Sequence, residues 1–282
     1  MEIDGYKIEP NSDLHRAQLS AIDLKFANLD KADLSEAELS ESDLSFAILT
    51  GANLRAAWVN TTSFFKVNGP TSIFDDCRAH DAVFSSANLK NSSFAGAELC
   101  CANFVGADLR ASNFRNANLE GCNLSGADLA GADLSGANLS NAILDGAKFA
   151  RSKLVGANLS ASRCVETNFN QANLSHCKLI GTIVGSFSYP IYNSNPIALN
   201  EMNSDAQYDA VLVDGFLSEF GGEVDEFEDY EIELIEFPNF FHAKFAGANL
   251  CGVDLTAVEI AGDSGDISQA DILKAIFESA KR

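Results

Sequence analysis

The feature that most constrains this chain is a period of five residues. Leu or Phe stands at almost every residue number ending in 4 or 9 from Leu14 onward, and Val59, Gly69, Ala79, Cys164 and Val184 are the departures as far as residue 184. Two residues before each lies a second series, at numbers ending in 2 or 7, made of Ala, Ser, Thr or Cys; only Ile22 and Val67 are larger. A period of five matches neither the 3.6 of a helix nor the 2 of a strand, so these residues share one interior only if the chain turns at regular intervals. Each unit is then one side of a coil. One large and one small inward residue per side satisfies close packing, which leaves no room for two large ones.

The stretch GADLAGADLSGANLS shows the unit cleanly: a small residue, Asp or Asn, Leu, then two positions that are usually polar or Gly. These units resemble the pentapeptide-repeat family over residues 12–184, with a return at 243–260. The resemblance implies an all-β solenoid, a right-handed quadrilateral parallel β-helix with four units per coil. Residues 20 apart then stack, which places Phe64, Phe84 and Phe104 in one column and Phe74, Phe94 and Phe114 in a second, on opposite faces. At ~4.8 Å per coil the repeats make a rod of roughly 40 Å.

The departures divide the chain. Residues 1–11 precede the repeat as an N-terminal cap. Gly69 and Ala79 stand where large residues belong, with Pro70 between them, and predict a distorted coil over 66–80 that nonetheless keeps the phase. Residues 185–239 lose the frame and read as an acidic insertion. Within it, Asp214-Gly215 is a turn signal, and the alternation of Tyr230, Ile232 and Leu234 with Glu231 and Glu233 suits a hairpin or an extra strand. A final coil follows over 240–262. Residues 263–282 read as a short C-terminal α-helix: Ser268 and Asp271 form a capping box, and Ile272, Leu273, Ile276 and Phe277 form one apolar stripe. That helix is either a cap on the last coil or, as in some members of the family it resembles, a homodimer contact.

Little in the sequence suggests catalysis. His15, His80, His176 and His242 are too dispersed in the coil register to make a ligand set or a nucleophile–base pair, and no phosphate-binding loop or nucleophile elbow occurs. No catalytic, cofactor-binding or metal-binding residue is therefore assigned. The seven cysteines lack a C-x-x-C spacing, and Cys77, Cys122, Cys177 and Cys164 fall on inward positions, which assigns them to the core. The N-terminal MEIDGYKIEP lacks an apolar signal region, and no stretch approaches the ~18 apolar residues of a membrane span, so a cytoplasmic protein is expected.

Function is then a matter of surfaces. The formal charge of −21 disfavours nucleic acid and anionic membrane and favours a protein partner with a basic surface. It is unevenly spread: residues 185–239 hold 13 acids and no base, whereas residues 50–184 hold 10 acids against 11 bases. Partner-binding candidates are the outward aromatics Phe26, Phe46, Trp58 and Phe65, and the carboxylates Asp225, Glu226, Glu228, Asp229, Glu231 and Glu233. The reading that follows is a non-enzymatic protein-binding scaffold. The alternative that the family resemblance implies is a DNA mimic that binds DNA gyrase, which needs a negative potential along the whole rod; the acids of the repeat region are concentrated in its first two coils.

Overall fold

The computed structural model describes residues 2–3, 5–180 and 182. Each residue at the centre of a side bridges in parallel to the residue 20 positions on, without a break from Asp13↔Asp33 to Asn158↔Lys178. Twenty residues per coil and five per side make four sides. The amide of each large inward residue donates up the rod, as Leu14 does to the Asp33 carbonyl at 2.7 Å, and the mid-side amide donates down it, as Asp33 does to Ser12 at 2.9 Å. At the corners a turn closes from a small residue back to the preceding large one, for example Ala17 to Leu14 at 3.0 Å; Ile22 differs, its amide donating to Ser42 Oγ at 3.1 Å.

This bonding explains residue preferences that the period alone leaves open. Among the described residues, positions ending in 0 or 5 give the ladder a carbonyl but no amide. Many of their N–H groups are taken instead by the side chain two residues earlier, where Asp23 accepts from Lys25 at 3.0 Å, Asn123 from Ser125 at 3.0 Å and Asp128 from Ala130 at 3.0 Å, and others by a side chain of the preceding coil, as Asn60 accepts from His80 at 3.0 Å. An Asp or Asn before the Leu thus satisfies a corner amide. The hydroxyls and thiols at the small positions donate to core carbonyls in the same way, Thr62 to Leu39 at 2.8 Å and Cys177 to Leu154 at 2.8 Å. The first residue after each corner has a left-handed backbone whether or not it is glycine, as at Lys31 (φ 54°) and Gly131 (φ 72°).

Inside, the large and small residues form one continuous core, almost all of it fully buried. The two phenylalanine columns face each other across it. Within a column the rings stack at 4.7–4.8 Å, and between columns they meet edge to face, Phe64 to Phe74 at 5.5 Å and Phe104 to Phe114 at 6.0 Å. Both geometries are favoured by the ring quadrupole.

The coil around Gly69 and Pro70 is regular, contrary to the distortion expected from sequence. Bridges run through it unbroken, Ile48↔Asn68↔Asn88 and Asn53↔Ile73. Two causes account for this. Pro70 occupies one of the positions whose amide the ladder never uses, and its carbonyl still accepts from Gly51 at 3.0 Å. Interior volume is also compensated: Phe64 and Phe74 enlarge two sides where Val59, Gly69 and Ala79 shrink the other two. The vacancy at Gly69 is filled by its neighbours, since a Cβ there would lie 3.2 Å from Leu49 Cβ and 3.3 Å from Leu89 Cδ2.

At the N-terminus β1 (Glu2–Ile3) and β2 (Tyr6–Lys7) form an antiparallel hairpin. Ile3 and Tyr6 pack against the core, and Ile8 is buried. The sequence-based segments 185–239, 240–262 and 263–282 lie outside the described residues. Replacing a ring in the middle of the stack should be costly, because rings above, below and across would all lose contact. Phe84→Ala is expected to lower stability by about 3–5 kcal/mol, measured by chemical denaturation of the full chain.

Candidate functional site

Most outward side chains of the solenoid are small or polar, and one corner departs from this. Phe26 and Phe46 lie one coil apart on the corner between the Asp23–Asp43 side and the Asn28–Ile48 side. Their rings stack at 5.1 Å with an interplanar angle of 13°, and Phe65, one coil further on, meets Phe46 edge to face at 5.5 Å. Phe26 is 70% exposed and Phe46 42%. The result is an aromatic ridge along a convex edge, with Ile48 exposed beside it. Lys66, in the next coil of the Phe26–Phe46 column, extends its ammonium 5.1 Å from the Phe65 ring centroid and 5.9 Å from that of Phe46.

Trp58 does not belong to this ridge. Its column runs Glu38, Trp58, Arg78, ten residues out of phase with Ile48 and therefore on the opposite side of the coil. There it is 44% exposed, with the Arg78 guanidinium carbon 4.2 Å from its ring centroid. Of the four sequence-predicted aromatics, the structure brings three together and separates the fourth. Ile48 and Lys66 were missed in the sequence, although Lys66 stands 20 residues after Phe46 and Ile48 is a large apolar residue in outward phase.

Charges on the ridge's flanks are unequal. Lys25 bridges Asp43 at 3.0 Å and Asp23 at 3.7 Å, so one lysine serves two carboxylates. Partial burial works to raise the Asp43 carboxyl, but hydrogen bonds from Ser45 and Lys25 outweigh it and hold the group below its ordinary value. The other flank, at Asn28, Ile48 and Asn68, is uncharged. Further along the rod several acids are matched by a base. Arg110 grips Asp108 through Nε at 2.7 Å and Nη2 at 2.5 Å and lies 3.9 Å from Asp128; Asp133 sits between Arg115 and Lys153; Asp145 pairs with Arg163 at 2.9 Å.

The thiols sort by depth. Cys77, Cys122, Cys164 and Cys177 are buried, Cys100 is half-buried and Cys101 is exposed. Burial pushes the Cys164 and Cys177 thiols up to about 12, and raises Cys77 and Cys122 further. Partial burial raises Cys100, and the carboxylates of Glu98 and Glu120 add to it. Among the described residues no group of three or more His, Cys, Asp or Glu is placed to hold a metal ion, and no helix is long and apolar enough to cross a membrane. The candidate carboxylates Asp225, Glu226, Glu228, Asp229, Glu231 and Glu233, and the apolar stripe Ile272, Leu273, Ile276 and Phe277, lie outside the described residues.

The family model of pentapeptide repeats matches residues 12–55, 80–116, 112–151 and 152–184, in eight copies. Among solved structures the chain is similar to HetL, a pentapeptide repeat protein involved in heterocyst differentiation regulation from the cyanobacterium Nostoc sp. strain PCC 7120. The identity is 21%, over 90% of this chain and 92% of HetL, with a TM-score of 0.56. It is also similar to a trypsin-treated variant of QnrB1, a plasmid-mediated fluoroquinolone resistance protein, at 21% identity over 55% of this chain and 80% of that one, with a TM-score of 0.40. No curated protein sequence matches it.

Two outcomes follow from the side-chain environments. In the native solenoid Cys101 should react quickly with a thiol reagent at neutral pH and Cys100 slowly. The four buried cysteines should react only after unfolding, as mass spectrometry of the labelled peptides would show. Asp108 is held below the ordinary carboxylate range, chiefly by the Arg110 side-chain hydrogen bond and against partial burial. A depressed folded-state value means that its stabilisation is present above the unfolded value of ~4 and is lost as the pH falls through the folded one. Asp108→Asn should therefore lower the unfolding free energy at pH ~7 by no more than ~1 kcal/mol, as for an exposed pair, and leave it unchanged at pH ~2.

Proposed function

The chain belongs to the pentapeptide-repeat family, whose members fold as right-handed quadrilateral β-helices, and on that footing we propose that it is a non-enzymatic scaffold that binds a protein partner through the ridge of Phe26, Phe46 and Phe65. One observation carries this reading. Phe26 and Phe46 occupy left-handed corner positions, with φ of 59° and 62°, and expose their rings there. The left-handed backbone costs roughly 1–2 kcal/mol for a residue bearing a Cβ, a cost the solenoid carries at most of its corners. Further along the same column the corner residues are Lys66, Ser86, Gly106, Gly126, Gly146 and Glu166, so the fold accepts small, polar or charged residues at this place and does not require an aromatic one. Stacking of the two rings returns only about 0.5–1.5 kcal/mol. This backbone is common to every corner of the solenoid, so what sets this corner apart is the aromatic surface it exposes, and contiguous exposed aromatics fit a binding role.

The charge distribution supports a partner with a basic surface. Residues 11–49 hold eight acids and three bases, and the ridge starts within them. The carboxylates of 185–239, from Asp225 to Glu233, extend the same reading on charge alone, and dimerisation through Ile272, Leu273, Ile276 and Phe277 stays a proposal of sequence pattern. Imitation of a DNA duplex has less support, because a phosphate ladder is an uninterrupted run of negative charge, whereas Asp108, Asp133 and Asp145 are each paired with arginine.

The test compares the full chain with its Phe26→Gly/Phe46→Gly variant. Thermal unfolding should be unchanged or shifted upward, while capture of a specific partner from extract of the source cells, quantified by mass spectrometry, should fall at least ~10-fold, the scale set by losing a central aromatic anchor. Trp58→Ala should leave that capture intact. Equal capture by the double variant would remove the ridge from the function. In a purified gyrase supercoiling assay the protein should have no effect; inhibition or protection would restore the DNA-mimic reading.

A further inference from the structure

The shape and flanks of the ridge specify what it docks into, and this step rests on the binding role just proposed. We infer that the partner presents a concave, apolar-floored groove with arginine or lysine along one wall only. The ridge is a corner of a four-sided rod, so Phe26 and Phe46 project from a convex edge, with half-buried Phe65 against the end of the pair. A convex edge desolvates its rings only by entering a groove; against a flat surface it makes line contact and leaves the sides of the rings wet. Three rings in one row, with Phe26 exposed most, are the arrangement of aromatic anchors that fill a pocket at the centre of an interface.

The walls differ because the flanks differ. Towards one side lie Asp23 and Asp43, which share Lys25 and keep one negative charge uncompensated. Glu41 stands exposed at the far corner of that side. This flank calls for a cationic wall. Towards the other lie Asn28, exposed Ile48 and Asn68, uncharged, with the charges at its far corner, Lys31 and Asp30, paired with each other at 3.8 Å; this flank fits an apolar wall with a few amide or hydroxyl groups. Lys66, resting over Phe65 and Phe46, closes the row with a positive charge, so the groove is polar in one direction as well and accepts the rod in a single orientation. Opposed charges at such a rim fix register and partner choice more than they add affinity.

A second copy of the described solenoid, meeting this one ridge to ridge, does not meet these requirements. It offers another convex edge in place of a groove, and in the antiparallel two-fold arrangement it sets Asp23 and Asp43 against their own counterparts.

The experiment uses the full chain with the photo-reactive amino acid benzoylphenylalanine in place of Phe46, and in a second preparation in place of Phe26. Each is irradiated in extract of the source cells, and the crosslinked peptides are mapped. The expected result is one other protein, crosslinked from both positions at apolar residues lining a groove with Arg or Lys on one side. The Asp23→Asn/Asp43→Asn background should lower the crosslink yield about tenfold. Asn keeps the side-chain oxygen that accepts the Lys25 and Ser45 amides, and the unfolding midpoint of this background checks the fold. Crosslinks to a flat or uncharged surface, with a yield indifferent to that background, would overturn the groove while leaving the ridge as a binding site. Crosslinks confined to the chain itself would overturn both the groove and a distinct partner, and an absence of crosslinks from either position would overturn the ridge as a binding site.

Discussion

The structure depends on the hydrogen bond between a strand amide and the carbonyl nineteen residues on. Because every side contributes its central residues to a parallel ladder with a fixed register of 20, each coil is an exact template for the next, and an insertion inside the repeat would put every later side out of step. Interior composition can vary as long as that register is kept. Gly69, Ala79 and Val59 coexist with Phe64 and Phe74 because backbone bonding fixes the coil and the side chains then share out the volume inside it. Pro70 is tolerated for the same reason: its missing amide is one that the ladder does not call on.

A rod built this way has little freedom with which to make a site. Its interior is filled, its corners are tight left-handed turns, and its sides present short polar side chains bonded along the axis, such as the row in which Asn138 donates to Asn118 and Asn158 to Asn138, each at 3.1 Å. Chemistry has to be added at the outward positions, and among the described residues the large additions are aromatic. The ridge of Phe26, Phe46 and Phe65 and the pairing of Trp58 with Arg78 on the opposite side are the two large exposed aromatic features. They differ in kind. The ridge is a row of rings with one lysine at its end, while Trp58 is a single exposed ring with a guanidinium over one face.

Electrostatics divides the rod along its length. In the first two coils acids outnumber bases and Lys25 is shared by two carboxylates; beyond them acids and bases are nearly equal in number, and Arg110, Arg115 and Arg163 pair with Asp108, Asp133 and Asp145. The polarity of the rod comes from this contrast, and the ridge lies at its negative end, where attraction to a basic surface and burial of aromatic rings act on the same contact.

Sequence alone determined that the chain coils. A strict period of five, with a large and a small inward residue in every unit, fixes the inward positions and the core role of Cys77, Cys122, Cys164 and Cys177, whereas the four units per coil, and with them the phenylalanine stacks, were what the family resemblance implied. The outward phase of Phe26, Phe46, Trp58 and Phe65 was legible as well, since phase is arithmetic. Which of them meet was not: Trp58 and Phe65 are only seven residues apart, yet corners intervene, and three-dimensional position around the coil separates them while joining Phe65 to Phe46. The regularity of the coil at Pro70 was also hidden, because it depends on which amides the ladder uses, a property of paired strands and not of a single repeat. Side-chain pairing had to await the tertiary structure for a similar reason, as Lys25 reaches Asp43 only when the next coil is laid on top of it. A repeat specifies its own periodic environment, whereas a site is made where residues from different coils and sides come together.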